Sequence, residues 1–150
     1  MRVVIQRVSR ALVTVDKKVI SSIANGMLLL VSFTGTDNSE DLEWIAGKII
    51  RLRIFDDEAG AMNLPVTDHK GEILVVSQFT LHAKTKKGNR PSYIDAAVPE
   101  LAIPLYSGFI KILETLLPGK ISTGIFGAEM QVELVNDGPV TILIDSKNRE

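Results

Sequence analysis

From Met27 to Phe33 every residue is apolar except Ser32. A run of this length and composition reads as a strand buried on both faces. Such a strand needs cover on each side, so the rest of the chain has to supply two layers around it. The other segments have to meet that demand.

Upstream, Val3, Val4 and Ile5, then Val8 after Gln6-Arg7, form a β-branched run. Leu12 and Thr14, followed by Lys17-Lys18, predict a hairpin into Val19 and Ile20. Downstream the period changes. Leu42, Ile45, Ala46, Ile49 and Ile50 recur at helical spacing behind the capping candidates Asp37, Asn38 and Ser39. Arg51, Arg53 and Asp56 follow at the end of that helix. Glu72 to Leu81 reads as a strand, and His82 to Ser92 as a polar loop. Leu101, Leu105, Phe109, Ile112 and Leu116 mark a second helix, closed by Pro118-Gly119. Pro104 fits a first turn, which puts the helix start near residue 103. The tail reads as two strands, Glu129 to Val135 and Val140 to Asp145, joined by Asn136-Asp137-Gly138-Pro139. This order is no βαβ alternation. It predicts an α+β fold: a strongly bent antiparallel or mixed β-sheet or barrel, two helices packed outside, and a single domain spanning residues 1–150.

Composition narrows the chemistry. With 150 residues and 45% hydrophobic content the chain can bury a core without staples. It has no cysteine, which excludes disulfides, thiolate nucleophiles and Cys-based zinc sites. His69 and His82 lie too far apart in sequence for a local ligand pair, so neither a metal centre nor a cofactor is expected. The opening MRVVIQRVSRALVTV is broken by Arg2, Gln6, Arg7 and Arg10 and lacks the apolar core of a signal peptide. No apolar run approaches the roughly 20 residues of a membrane span. A soluble, cytoplasmic protein is expected. A net charge of -1 argues against a general nucleic-acid coating protein and leaves room for a local basic patch.

Four features have both a functional and an ordinary reading. His82 follows a predicted strand and could face a site, while a loop histidine in solvent is the commoner case. Ser77-Gln78-Phe79-Thr80-Leu81 puts two hydroxyls and an amide where a buried strand runs out. Backbone N–H groups freed there, with the Thr80 hydroxyl, could hold an oxyanion; the ordinary reading is local or cross-strand hydrogen bonding. Asn136-Asp137-Gly138-Pro139-Val140-Thr141 is either a hairpin turn or a rigid presenter of backbone carbonyls. Lys84, Lys86, Lys87 and Arg90, flanked by Gly88 and Pro91, form either a solvated loop or a phosphate contact. By turn chemistry and spacing alone the ordinary readings lead.

Taken together the segments resemble the D-aminoacyl-tRNA deacylase family over essentially the whole length. MRVVIQRVSRALVTVD is similar to that family's N-terminal hairpin. Ser77-Gln78-Phe79-Thr80 matches its first signature and Asn136-Asp137-Gly138-Pro139-Val140-Thr141 its second. Lys87-Gly88-Asn89-Arg90-Pro91-Ser92 and Phe126-Gly127-Ala128-Glu129-Met130 are similar to family segments as well. No signature position departs from the pattern.

The resemblance implies a hydrolase for the ester bond of D-aminoacyl-tRNA, acting in chiral proofreading of translation, with glycyl-tRNA mischarged on tRNA-Ala as a second substrate. It implies a homodimer with the site at the interface. One subunit would supply Ser77, Gln78, Phe79 and Thr80. The other would supply Gly138 and Pro139, joined by a cis peptide bond, to select chirality. By the same resemblance, N–H groups near Phe79 and Thr80 would hold the oxyanion, and a ribose hydroxyl of the RNA would help activate water. A Thr80 nucleophile is the rival within this reading. Lys84, Lys86, Lys87 and Arg90 would bind tRNA. The alternative of another class is a non-catalytic RNA-end binding module, which would use the same basic loop without turnover.

Overall fold

A computed structural model of the chain describes residues 1–149. In chain order the elements are β1 (Arg2–Val15), β2 (Lys18–Ile23), β3 (Gly26–Ser32), α1 (Ser39–Arg51), β4 (Phe55–Asp56), β5 (Met62–Leu64), β6 (Glu72–Ser77), a 3-10 turn (Phe79–His82), α2 (Pro99–Leu116), β7 (Ile121–Thr123) and β8 (Gln131–Asp145).

The sheet is organised by β1. Its first half pairs with β3, from Arg2↔Ser32 to Val8↔Gly26, and its second half with β2. The β1–β2 loop is Asp16-Lys17, both at positive φ (48° and 64°), as a two-residue turn matched to strand twist requires. β8 runs antiparallel along the other edge of β1 for its whole length. β6 and β7 add to β3 in parallel, giving the order β2-β1-β3-β6-β7. The sheet curls until β2 lies against β6 and β7, an almost closed mixed barrel.

The expectation for β3 holds on both faces. Met27, Leu29 and Val31 belong to the cluster that takes in Leu42, Ile45 and Ile49 of α1 and Phe109 and Leu113 of α2. Leu28 faces the barrel interior with Val8, Val13, Ile23 and Leu74. α1 begins where capping chemistry predicts: the Asn38 side chain accepts from the Glu40 and Asp41 N–H groups, and the Asp41 carboxylate accepts from the Asn38 N–H.

Three expectations are corrected. The strand read as Glu72 to Leu81 stops at Ser77 and passes into the 3-10 turn. The second helix starts at Pro99, not near 103, and carries Pro104 in its interior. Pro99 takes the first helical position, where a missing N–H costs nothing; Pro104 then costs one bond in an eighteen-residue helix that buries Ala102, Tyr106, Phe109 and Leu113. The tail is not a hairpin. Both halves of β8 pair with β1 in the same direction, Gln131–Asn136 with its far end and Thr141–Asp145 with its start. Asn136 to Val140 is a bulge within one long strand, opposite Arg7.

Candidate active site

The last backbone bond of β6 into β3 is donated by the Gln78 N–H to the Val31 carbonyl at 2.7 Å. The chain then tightens. Leu81 N–H donates to the Gln78 carbonyl at 3.2 Å and Ala83 N–H to the Thr80 carbonyl at 3.0 Å. Phe79 and Thr80 are the first two residues of the turn, so their N–H groups precede its first internal bond and have no partner inside it. Side chains fix the neighbourhood. Gln78 Nε2 donates to Thr80 Oγ1 at 2.5 Å, and Ser32 Oγ donates to the Phe79 carbonyl at 3.3 Å. The Thr80 hydroxyl is thus locally bonded, while the Ser77 hydroxyl makes no hydrogen bond among the described residues.

Beside this turn lies a cavity of about 580 Å³. Ser77, Gln78 and Phe79 line it; Thr80 stands just beyond the lining, half-buried. The remaining wall comes from the end of β3, the start of α2 and the segment before β8, including Phe126 and Met130. No carboxylate, imidazole, ammonium or guanidinium lines it. Phe79, 57% exposed, and Tyr93 meet edge to face at 5.0 Å on its rim. Polar groups here are hydroxyls, one carboxamide and free backbone N–H groups, which suit a neutral or developing anionic oxygen and provide no strong base.

His82 fits neither of its sequence readings. It is buried, not in solvent, and it does not line the cavity. It ends the 3-10 turn with Nε2 unpartnered. Burial holds its imidazole below the ordinary value of 6.5, helped by the positive charges of Arg2 and the Met1 ammonium, while a hydrogen bond with the Ser32 backbone works the other way.

The basic loop is a small ribbon closed by mutual backbone bonds between Lys84 and Ser92 at 2.8 and 3.0 Å. Lys84 pairs with Asp95 at 2.6 Å. Lys86, Lys87 and Arg90 are exposed at the tip, with no ionic partner among the described residues.

Gly138-Pro139 is a cis peptide, exposed, in the β8 bulge. Arg7 anchors the bulge from beneath. Its guanidinium donates to the Ile54 carbonyl at 2.7 Å and the Asp137 carbonyl at 3.1 Å, and pairs with the carboxylates of Asp56 and Asp137 at 3.2 and 3.3 Å. Asn136 Nδ2 bridges the bulge, donating to the carbonyls of Arg7 and Val140 at 3.0 Å. Gly138 has φ +120°, and a Cβ there would stand 2.9 Å from Arg7 Nη2.

Within one chain the two segments stay apart. Ser77 is in register with Val31, Val3 and Ile144, whereas the bulge lies opposite Arg7, three strands across and four residues along. Sequence reasoning misses Arg7 as the anchor of the bulge. The signal is present: Arg7 falls in phase with Val3 and Ile5, so period two puts a cation on a buried face. Ser32, the one hydroxyl in an apolar run, escapes it in the same way.

The family described as D-Tyr-tRNA(Tyr) deacylase matches residues 4–145, which takes in both the turn and the bulge. The chain belongs to this family. It is 62% identical over 150 residues to the D-aminoacyl-tRNA deacylase of Flavobacterium psychrophilum, covering all of both chains. It is 59% identical to that of Bacteroides thetaiotaomicron, again over the full length of each. Among solved structures it is similar to one titled c-Myc DNA Unwinding Element Binding Protein, with 43% identity, a TM-score of 0.93, and 97% of this chain and 98% of that one covered. A probable eukaryotic D-amino acid tRNA deacylase, 18% identical with a TM-score of 0.79 over 95% and 97% of the two chains, shares the fold.

Proposed function

We propose that this protein hydrolyses the ester joining a D-amino acid to the terminal ribose of tRNA, releasing free D-amino acid and tRNA. The observation that carries this reading is the pair of N–H groups at Phe79 and Thr80 with no partner among the described residues, beside an uncharged cavity, in a chain of this family.

An ester needs little activation compared with an amide. Water adds to the carbonyl carbon, the oxyanion is held by the Phe79 and Thr80 N–H groups, and the ribose oxygen leaves with a proton. The cavity supplies no side-chain base, so the neighbouring ribose hydroxyl of the RNA helps activate the water. The same absence speaks against Thr80 as nucleophile, since its hydroxyl accepts from Gln78 and no group stands ready to take its proton.

Gly138 and Pro139 act across a two-fold interface, their carbonyls meeting the α-amino group of a D-residue bound in the partner's cavity. An L side chain is excluded by lack of room. Glycine has no side chain to reject, so glycyl-tRNA mischarged on tRNA-Ala is a second substrate. Support for an interface comes from the separation of turn and bulge within one chain. Sedimentation is expected to show a dimer at assay concentration; an active monomer would end the shared-site reading. Lys84, Lys86, Lys87 and Arg90 contact tRNA phosphates. We place the reaction in the cytoplasm as proofreading of translation; among the described residues no helix is long and apolar enough to cross a membrane.

The test is release of amino acid from D-aminoacyl-tRNA, with the L-form as control. Binding without turnover would favour an RNA-end binding module instead.

A further inference from the structure

Ser32 is 2% exposed at the end of β3, and its hydroxyl donates to the carbonyl of Phe79. That carbonyl and the Thr80 N–H belong to one planar peptide unit. Fixing the oxygen therefore fixes the direction of the N–H at the opposite end. A hydrogen bond accepted by the carbonyl also polarises the unit and strengthens its N–H as a donor.

We infer that Ser32 is a positioning residue for the deacylation reaction, aiming and polarising the Thr80 N–H through the Phe79 carbonyl. This rests on the oxyanion role given to that N–H above. The strand's own demands do not explain a hydroxyl here. Its neighbours Leu28, Leu29, Val31 and Phe33 are apolar and buried, and a small apolar residue would satisfy the packing. The hydroxyl has one described acceptor, and it is the carbonyl of the catalytic turn.

The test compares the full-length enzyme with Ser32→Ala, which removes the donor, and Ser32→Cys, which keeps a side chain of similar size but donates weakly. With D-aminoacyl-tRNA, both are expected to lower kcat by about tenfold, less than the hundredfold or more seen when an oxyanion donor itself is removed. KM and thermal unfolding should stay near wild type. The Thr80 amide resonance should move upfield in both, as its peptide unit loses polarisation. Wild-type kcat in both variants, or an unmoved Thr80 amide, would overturn the inference. So would kcat and KM worsening together with a lowered unfolding temperature, since that is the mark of a packing role. If the wild-type enzyme releases no D-amino acid, the functional reading fails by itself, and the Thr80 amide shift still decides whether Ser32 controls that peptide unit.

Discussion

The Phe79–His82 turn and the Asn136–Val140 bulge both interrupt regular β-structure, and they are held in opposite ways. The turn is folded into the body of the protein. Its carbonyls are tied back to Ser32 and, through Arg2 Nη1 to the Leu81 carbonyl at 3.0 Å, to the start of β1. What it leaves without a partner among the described residues are two N–H groups beside a cavity. The bulge stands out from the sheet, with Asp137, Gly138 and Pro139 exposed, and is fastened by one buried cation, Arg7, 7% exposed. The turn thus resembles half a site with its pocket attached, and the bulge a tool presented outward. On the reading proposed above, the first would bind the acyl group and the second would act on a substrate held by another subunit.

The sharpest way to break this contrast is to delete a donor from the turn. Proline fits the first position of a helical turn but brings no N–H. Phe79→Pro, measured against Phe79→Ala to account for the missing ring, is expected to lower the single-turnover rate on D-aminoacyl-tRNA by about a hundredfold to a thousandfold. Equal rates for the two variants would remove Phe79 from the oxyanion role.

On the bulge the corresponding change is Gly138→Ala. The φ of +120° and the approach to Arg7 Nη2 make the added methyl a source of strain of about 1–3 kcal/mol. Deacylation is expected to fall by about tenfold or more, as that strain is relieved by moving the bulge off its anchor. Rates for D- and L-substrates, taken with a thermal melt, check this; an unchanged D-rate would mean that the bulge lies away from the substrate.

Charge reversal at Lys86 and Lys87 should weaken tRNA binding and flatten its salt dependence, the slope falling by about 1 for each phosphate that is no longer neutralised. A minimal aminoacyl-adenosine should be cleaved at nearly the wild-type rate. Equal damage to both substrates would assign the loop to structure or catalysis.

The smallest effect concerns His82 behind the turn. Its folded-state pKa lies below the ordinary 6.5, so the unfolded chain binds a proton first as pH falls. The stability His82 contributes is present above about pH 6.5 and is lost as pH drops toward its folded value. His82→Gln should flatten that part of the stability curve, which denaturant titrations at pH 5 and pH 7.5 would reveal as a smaller difference between the two. An unaltered difference would place the acid sensitivity elsewhere.

What can be read from sequence follows the same division. β3, α1 and the first hairpin are legible because each is decided locally, by an apolar run, by capping residues ahead of helical spacing, and by a polar break between β-branched runs, although the turn falls at Asp16-Lys17, one residue before the Lys17-Lys18 expected. The bulge passes for a hairpin because Asn-Asp-Gly-Pro has the same local chemistry in both. The choice is made by β1, more than a hundred residues away, which pairs with both halves of β8. The 3-10 turn passes for strand because Phe79 and Leu81 continue the apolar run of β6, and nothing local announces that β3 has ended alongside. Pro104 misleads about the start of α2, since the one bond it removes is easily outweighed by the apolar face that helix buries. For the candidate site, likeness to a family points to both segments, while Arg7 and Ser32, which hold them, depend on contacts across the fold.

The pairing of β1 with β8 also has a consequence in time. Arg2 is matched with Asp145 and Thr14 with Gln131, so the edge of β1 that β8 covers is made early and completed late. At about 5–20 residues per second, a ribosome leaves that edge open for roughly 6–30 s. Contacts of such sequence separation make for slow folding even after release. During that interval β1 is an unpaired strand edge rich in valine, the kind of surface that recruits other strands. A message truncated before codon 131 would never close it. For this chain an incomplete product carries a hazard of aggregation, and the residues that finish the barrel are the same ones that carry the bulge.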